Sequence, residues 1–271
     1  MNCLSVLCGH HLLTHAPKHI VTGDGAMVTI FLFLAIGLLP VFVREFRNSA
    51  RLILTYWFVI ALHQGVAFVN AFFFTTIGAN KDARTFHIGA TKVAESLDWD
   101  LCCDRYGNPY GFFENLLGTM YWLFGSSSQL QGTQLSILMF AFSCILLVKI
   151  VGLLKLSRYK VSTLFIFGSL PSMVLLGSVT LRETYEILFF MLTTYFGLRM
   201  LSEKKISIYG FFMLLSSLVM GMFHQGLRYY GILIIALFFV WNPHPTSRLL
   251  NMKKRYLKIL LVMLVLLSGV I

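Results

Sequence analysis

Three groups of polar side chains have the chemistry to bind or transform a charged substrate, and they lie in separate parts of the chain. The stretch TLRETYEILFF places two carboxylates and a guanidinium at the start of an apolar run. A charge carried towards the middle of a bilayer costs about 3 kcal/mol, so these side chains must be exposed to water, paired or functional. The three groups are Arg182 with Glu183 and Glu186, Asp82 with His87, and His224 with Arg228.

Arg182 and Glu186 are four residues apart, a spacing that places both on the same face of a helix and allows an ion pair. In one interpretation the pair is a charged collar at the membrane surface, where such pairs are common and weak. In the other, Arg182 and Glu186 bind substrate, and Glu183, which has no obvious local partner, is a catalytic carboxylate at a helix N-terminus.

His224 and Arg228 have the same spacing of four, in the stretch FHQGLRYYG. They could belong to a turn whose tyrosines anchor it at the membrane interface. Alternatively, both bind substrate, and Arg228 lies deep enough in its apolar surroundings to need a buried anion, which a phosphate would supply.

Asp82 and His87 occur in DARTFHIGA, five residues apart, which does not match the spacing of three or four of a helical metal pair. We therefore favour Asp82 as a catalytic base or a ligand of sugar hydroxyls, with His87 as a substrate-binding residue. A solvated loop aspartate is the simpler interpretation of Asp82. Three further aspartates are typical of a solvated loop, although they leave a divalent cation open: Asp98, Asp100 and Asp104.

The composition indicates what must position these residues. Of the 271 residues, 57% are hydrophobic and 12% are charged, which is typical of a polytopic membrane protein. Continuous apolar runs predict an all-α bundle of roughly eight transmembrane helices. Because the last run is short and ends at Ile271, we expect a truncated product or a fragment. The runs are 26–43, 52–74, 132–152, 161–180, 187–202, 206–223, 227–241 and 257–271.

The net charge of +11 comes from basic clusters between apolar runs, which indicates membrane topology and not nucleic-acid binding. Every second connection is basic, and four such connections hold 15 of the 22 basic residues. By the positive-inside rule these four are cytoplasmic, and 9 of the 11 acidic residues then fall on the outer side. The basic connections are 44–51, 149–160, 199–205 and 242–258.

The outer segment 75–131 is too long for a simple connector. Apolar residues at spacings of three and four predict a helix over 85–97, and glycine, asparagine and proline predict a turn at 105–111. The apolar run 112–124 is too short for a span and predicts a re-entrant or interfacial helix, which GSSSQ ends. The whole chain, 1–271, is then one integral membrane domain.

The five cysteines form no CxxC pair and show no repeated spacing with histidine, so the sequence indicates neither a zinc site nor a disulfide framework. Residues 1–25 are too polar for the apolar core of an export signal, and the first apolar run is followed by arginines. That run is therefore predicted to be a retained span.

The order of these motifs resembles the multispan glycosyltransferases of the GT-C type and the related polysaccharide polymerases of bacterial envelopes. The motifs are a span, an outer loop starting KDARTFHIGATKVA, the stretch YGFFENLLGTMYWLFGSS, several spans and an outer arginine–glutamate pair. The resemblance covers about residues 52–230. It implies a polyprenyl-phosphate-linked sugar as donor, a saccharide, lipid or protein as acceptor, and a site facing outwards from the bacterial inner membrane.

The resemblance also implies roles for individual residues. Asp82 would be the base or metal ligand of the first outer loop, and Arg182 and Arg228 would hold the lipid phosphate. The chain differs from the family pattern in having an extra span before the loop, one acid where many relatives have two, and no large C-terminal outer domain. Because of these differences, the resemblance does not decide whether a metal ion is needed or which acceptor is used. The differences are also compatible with a polymerase that uses outer arginines.

Two other classes of function remain to be compared. A transporter or flippase of lipid-linked saccharides predicts charges near the middle of spans and repeated halves, and the sequence shows neither. A non-catalytic assembly subunit would not need the polar residues. The leading prediction is therefore an envelope glycosyltransferase or polymerase.

Overall fold

The computed structural model describes residues 23–73, 81–97, 110–203 and 206–241. Within these ranges the chain is helical and contains no strand. A 3₁₀ turn, Ser157–Tyr159, precedes α7. The helices are α1 (Gly23–Phe42), α2 (Arg44–Arg47), α3 (Ala50–Phe72), α4 (Lys81–Ser96), α5 (Tyr110–Phe124), α6 (Gln129–Leu153), α7 (Lys160–Ser169), α8 (Pro171–Gly177), α9 (Glu183–Glu203), α10 (Ile206–Phe223) and α11 (Gln225–Trp241).

Three of these helices, α1, α3 and α6, are long and apolar enough to cross a membrane. The bent pair α7–α8 could supply a fourth span, and α10 and α11 contain shorter apolar helices. Large apolar side chains such as Met27 and Phe31 project from α1 to the surface of the protein. Lipid accommodates such side chains, so the prediction of an all-α membrane bundle is confirmed with three or four candidate spans.

The apolar run 161–180 was expected to form one continuous span, and that expectation is wrong. The helix stops at Ser169, Leu170 adopts a non-helical backbone, and α8 restarts at Pro171 at an angle of 63°. Proline lacks a backbone N–H, and its ring disfavours helical geometry in the residue before it. The break at Leu170, directly before Pro171, is explained by these two effects. The predicted run 257–271 lies outside the described residues.

Helix α6 is the centre of the bundle. Its candidate span is 61% buried, against 28% and 33% for those of α1 and α3, and it packs against α1, α3, α7 and α9. Polar contacts also join the candidate spans, and Trp57 Nε1 of α3 donates to the Gly37 carbonyl of α1 over 3.0 Å. Tyr56 donates a hydrogen bond to the Ile36 carbonyl over 2.8 Å. The amides of Gln64 on α3 and Gln134 on α6 donate to each other, also over 2.8 Å.

Contacts between neighbouring helices define two ends of the bundle. Tyr56 meets Ile36 where α1 ends and α3 begins, whereas Gln64 lies late in α3 and meets Gln134 early in α6. Helix α2, the connection 154–159 and the end of α9 therefore lie at the same end of the bundle, which we call the basic end. The starts of α6 and α9 and the end of α10 lie at the opposite end, which we call the polar end.

Helices α4 and α5 form a closely packed pair. Gly118 of α5 lies against α4 so tightly that an added Cβ atom would be 2.6 Å from the Ala90 carbonyl oxygen. The predicted helices 85–97 and 112–124 are confirmed, although α4 begins earlier, at Lys81. The predicted turn 105–111 lies outside the described residues except for Tyr110 and Gly111, which start α5. A left-handed Gly125, with φ of 64°, follows the end of α5.

Candidate functional site

Helix α5 is joined to the polar end of the bundle by an aromatic cluster. The ring of Phe113 lies 5.2 Å from that of Tyr185 on α9, and the ring of Tyr185 lies 5.7 Å from that of Phe223 at the end of α10. Phe112 meets the same Phe223 ring at 5.0 Å. These contacts fix the start of α9 against the end of α10 and against α5.

Arg182 lies immediately before α9 and contacts both α9 and the end of α10. Its Nε atom is 3.4 Å from Glu186 Oε1, and the two side chains are only 12% and 16% exposed. Its Nη1 atom donates to the Phe223 carbonyl over 3.3 Å. The prediction that Arg182 and Glu186 face the same way is confirmed, and the pair is largely removed from water.

A second carboxylate, Glu183, lies beside this ion pair. Its Oε2 atom is buried and has no hydrogen-bond partner among the described residues. Burial raises the pKa of Glu186 to about 7, and the charge of Glu183 adds to the rise while Arg182 opposes it. Glu186 precedes the apolar part of α9 and exists in both protonation states near neutral pH, so it can accept or donate a proton there.

His87 is connected to the same end through a tyrosine that the sequence analysis did not single out. Its Nδ1 atom lies 3.0 Å from the buried hydroxyl of Tyr121 on α5. Burial lowers the pKa of His87, which keeps the imidazole neutral near pH 7. Since the two residues are 34 positions apart, no local pattern could reveal the contact.

Tyr121 in turn contacts the start of α6. A Cβ atom added to Gly132 would overlap the Tyr121 hydroxyl and would lie 2.9 Å from Thr180 Oγ1. Thr180 Oγ1 donates to the Gln129 carbonyl over 3.3 Å and lies 3.3 Å from Thr133 Oγ1. Two polar contact groups, His87–Tyr121 and Thr180 with Gln129 and Thr133, therefore meet at Gly132, close to the segment that carries the Arg182 side chain.

Gln131, next to this set, is also a residue that the sequence analysis missed. It is fully buried, and neither its Oε1 nor its Nε2 atom has a hydrogen-bond partner among the described residues. The sequence signal was present, because QLQGTQ places three amides at the beginning of an apolar run. A buried amide without partners is costly, so Gln131 adds to the unsatisfied polar groups of the polar end.

Asp82 does not join this group. It lies in the first turn of α4, is exposed, and makes no hydrogen bond or ion pair with the residues that the structure describes. Because α4 is helical from Lys81, the five-residue spacing turns Asp82 and His87 about 140° apart on the helix. The structure therefore brings His87 towards the polar cluster and leaves Asp82 at the surface.

His224 and Arg228 do not share a helix, because His224 lies in the break between α10 and α11. His224 is exposed, and its Nδ1 atom accepts a hydrogen bond from the Gly226 N–H over 3.1 Å. Arg228 is also exposed, so the expectation that it is buried is wrong.

Arg228 instead has a helix-capping contact, because its Nε atom donates to the Gly221 carbonyl over 3.1 Å. Together with Arg182, which donates to Phe223, it places two guanidinium groups on the last turn of α10. The last carbonyls of a helix lack partners within the helix and form the negative end of its dipole. Both arginines therefore stabilise the α10 terminus.

Within the described ranges, no three His, Cys, Asp or Glu side chains gather in a way that could hold a metal ion. The aspartates for which a divalent cation was left open, Asp98, Asp100 and Asp104, lie outside these ranges. Of the cysteines, Cys144 is described, and it is buried with a free thiol. The donor set at the polar end consists of carboxylates, guanidinium groups, amides and hydroxyls, which suits proton transfer and the binding of phosphate or sugar.

Comparisons of the chain with protein-family models, with curated proteins and with solved structures found no match.

Proposed function

We propose that the chain is an envelope glycosyltransferase or polysaccharide polymerase that uses a polyprenyl-phosphate-linked sugar at the outer face of the bacterial inner membrane. One observation carries the proposal: the buried, unpartnered Oε2 atom of Glu183 lies beside Glu186, whose pKa is raised to about 7. Structural carboxylates are normally paired or solvated, whereas perturbed carboxylates that adjoin an arginine are typical of sites of proton transfer.

In the proposed arrangement the chain has about eight spans, the basic end faces the cytoplasm, and the polar end faces outwards. The α4–α5 pair then lies on the outer membrane surface above the starts of α6 and α9. The support for this placement is that the described basic connections lie together at one end, whereas Glu183 and Glu186 lie at the other. Lipid-linked substrates would reach the site from the outer leaflet.

In the proposed reaction the bond between the anomeric carbon and a phosphate oxygen breaks, and a hydroxyl of the acceptor attacks the anomeric carbon. Glu183 accepts the proton of that hydroxyl, and Glu186 is placed to share it. Positive charge that develops at the anomeric carbon is stabilised by the carboxylates. Arg182 fixes the position of Glu186, so it is a positioning residue.

The leaving phosphate needs a cation, and exposed Arg228 is the best candidate. Its side chain is exposed, and its Nε atom donates to the Gly221 carbonyl, which orients the guanidinium. His224 is exposed in the adjacent turn and can contact the same phosphate. Asp82 stays a prediction for sugar binding or for the base, and its exposure makes Glu183 the stronger candidate for the base.

The test compares two carboxylates on one helix. Glu183→Gln should lower sugar transfer by about 100-fold or more in proteoliposomes that are supplied with polyprenyl-phosphate-linked hexoses one at a time. Glu203→Gln, at the other end of α9, is the matched control and should retain transfer. Wild-type rates in the Glu183→Gln protein, with insertion and folding unchanged, would rule out the proposed catalytic role.

A transporter or flippase is a second candidate, because α7 and α8 form a broken helix with a 63° bend. Interrupted helices line substrate paths in many transporters. A flippase would move a fluorescent lipid-linked saccharide across the vesicle membrane, and it would do so without forming a new glycosidic bond. An assembly subunit would show neither activity, and the alanine variants of Asp82, Glu183 and Arg228 would leave the envelope polysaccharide intact.

A further inference from the structure

His63 of α3 has an unusual set of neighbours. It is fully buried, and its two ring nitrogens each meet a backbone carbonyl. Nδ1 lies 2.9 Å from the Val59 oxygen, one turn earlier in α3, and Nε2 lies 3.1 Å from the Met173 oxygen in α8. The imidazole also stacks on Phe140 of α6, with ring centroids 4.0 Å apart and planes 23° from parallel.

The two carbonyl contacts cannot both be hydrogen bonds while the ring is neutral. A neutral imidazole has one N–H, and a carbonyl oxygen is only an acceptor. Either neutral tautomer therefore places a nitrogen lone pair against a carbonyl oxygen, which is repulsive. The imidazolium donates from both nitrogens, and its stacking on Phe140 then adds a cation–π attraction.

We propose that His63 is a proton-binding site inside the bundle, and that its bound proton ties α3 to the broken α7–α8 helix. Met173 lies two residues after Pro171, so the contact with Nε2 bridges directly to the restart of the helix. With the proton bound, the ring holds Val59 and Met173 together. Nε2 makes the longer of the two contacts, so the proton is lost from Nε2, which releases the Met173 carbonyl and loosens α8 at its bend.

The packing around the ring limits how it can move. A Cβ atom added to Gly177 would be 2.7 Å from the ring atom Cδ2, so the absence of a side chain at Gly177 makes room for the imidazole. With Phe140 on one face and Gly177 against its edge, the ring has little freedom to turn away from the Met173 carbonyl. Protonation therefore changes the strength of this contact more readily than it changes the ring position.

Few other titratable groups pack around His63. Its own helix carries Tyr56, whose hydroxyl donates to the Ile36 carbonyl, and α6 carries buried Cys144 in the same apolar cluster. Helix α8 contributes none, and the titratable residue of α7, Lys160, lies at the far start of that helix. The charge of the imidazolium is thus balanced by carbonyl dipoles, and no carboxylate among the described residues forms an ion pair with it.

The test is nitrogen NMR of ¹⁵N-histidine-labelled full-length protein in lipid bilayers, titrated from about pH 4.5 to about pH 8.5, a range that brackets the usual histidine transition. The difference from His63→Gln assigns the signal, and contacts to the Phe140 ring assign it independently of that variant. We expect His63 to show two protonated ring nitrogens at the acidic limit and one at the basic limit. A neutral ring over the whole range would overturn the proposal.

Hydrogen exchange measures the coupling to the bend. After correction for the intrinsic effect of pH, exchange in 171–177 should become faster as the wild-type protein loses the proton, and it should not change with pH in His63→Gln. His87→Gln is the matched control, because it removes a different, half-buried histidine and should keep the wild-type response. Identical pH profiles in wild type and His63→Gln would overturn the coupling, and neither experiment depends on the role of Glu183.

Discussion

The two ends of α9 carry the same local motif in different surroundings. An arginine and a glutamate four residues apart form an ion pair at each end, as Arg182–Glu186 at the polar end and Arg199–Glu203 at the basic end. The side chains are 12% and 16% exposed in the first pair but 34% and 30% exposed in the second. The spacing is therefore the same, while the access of water differs.

The neighbours of the two pairs differ as well. At the basic end, Glu203 also accepts a hydrogen bond from the Tyr209 hydroxyl, and the Arg199 guanidinium lies 5.5 Å from the centre of the Tyr209 ring. At the polar end the additional neighbour is Glu183, a second carboxylate, and the pKa of Glu186 rises. The same sequence pattern thus gives a more exposed ion pair at the basic end and, at the polar end, a more buried pair whose carboxyl group has a raised pKa.

The strongest expected difference between the two pairs is in the pH dependence of stability. The pKa of Glu186 is raised to about 7 from an unfolded value near 4.5, so the native state retains a proton that the unfolded state releases. The stabilisation by this proton is full below about pH 4.5 and is lost as the pH rises to about 7. The loss should amount to up to about 3 kcal/mol, measured as unfolding in detergent.

Glu186→Gln should remove this dependence, whereas Glu203→Gln should leave it unchanged. His87 acts in the opposite direction, because its lowered pKa destabilises the native state as the pH falls. The difference between wild type and Glu186→Gln isolates the Glu186 effect from that of His87. A stability difference that stays constant between about pH 4.5 and about pH 7 would contradict the prediction.

Removal of the arginine should also distinguish the two pairs. Arg182→Ala leaves the carboxylate of Glu186 in a largely buried position and removes a donor from the Phe223 carbonyl, so the free energy of unfolding should fall by about 2 kcal/mol. Arg199→Ala removes a more exposed pair and should cost about 0.5 kcal/mol. The free energies of unfolding are measured by chemical unfolding in detergent. An equal decrease in the two variants would show that the difference in burial does not make the Arg182–Glu186 pair more stabilising than the Arg199–Glu203 pair.

Packing density offers a comparison that does not involve charge. Gly132→Ala at the polar end should destabilise the protein by about 1–2 kcal/mol, because the added methyl group overlaps the Tyr121 hydroxyl and crowds Thr180. Gly210→Ala in the first part of α10 meets only Met200 Sδ at 3.7 Å, so it should be neutral or slightly stabilising. Thermal unfolding of both variants checks this, and a tolerated Gly132→Ala would mean that the start of α6 can shift.

The smallest effect is expected at Asp82. Because Asp82 is exposed and makes no hydrogen bond or ion pair with the described residues, Asp82→Asn should change stability by less than about 0.5 kcal/mol. Sugar transfer should fall much less than in Glu183→Gln. If Asp82→Asn reduced transfer as strongly as Glu183→Gln, the base would have to be assigned to the first turn of α4.

Much of the helical framework follows from local sequence. Apolar runs predicted the positions of α1, α3 and α6, which are long and apolar enough to cross a membrane, and also of α9, which is not one of the candidate spans. The spacing of four predicted the Arg182–Glu186 pair, because neighbours on a helix surface are fixed by its geometry. Pro171 is a sequence signal for the helix break, but we predicted one continuous span because the residues on both sides of Pro171 are apolar.

The assembled site was less predictable, because it depends on contacts between distant segments. The contact of His87 with Tyr121 and the donation from Arg182 to Phe223 require the packing of α4 on α5 and of α9 on α10. Arg228 was expected to be buried because apolar residues surround it in sequence, yet its side chain is exposed and its Nε atom donates to the Gly221 carbonyl at the end of α10. Which helix-end carbonyl groups a side chain can reach depends on how the helices pack, and this packing cannot be inferred from residue types alone.

The reciprocal amide contact between Gln64 and Gln134 has a consequence for the relative height of α3 and α6 in the bilayer. Sliding one helix along the other by a single turn, about 5.4 Å, would part the amides and strand four hydrogen-bonding groups in a medium without water. The amide pair therefore opposes sliding of α3 along α6, two helices whose surfaces are otherwise mostly apolar. It selects one depth of insertion for α6 from the several that its apolar length alone would permit.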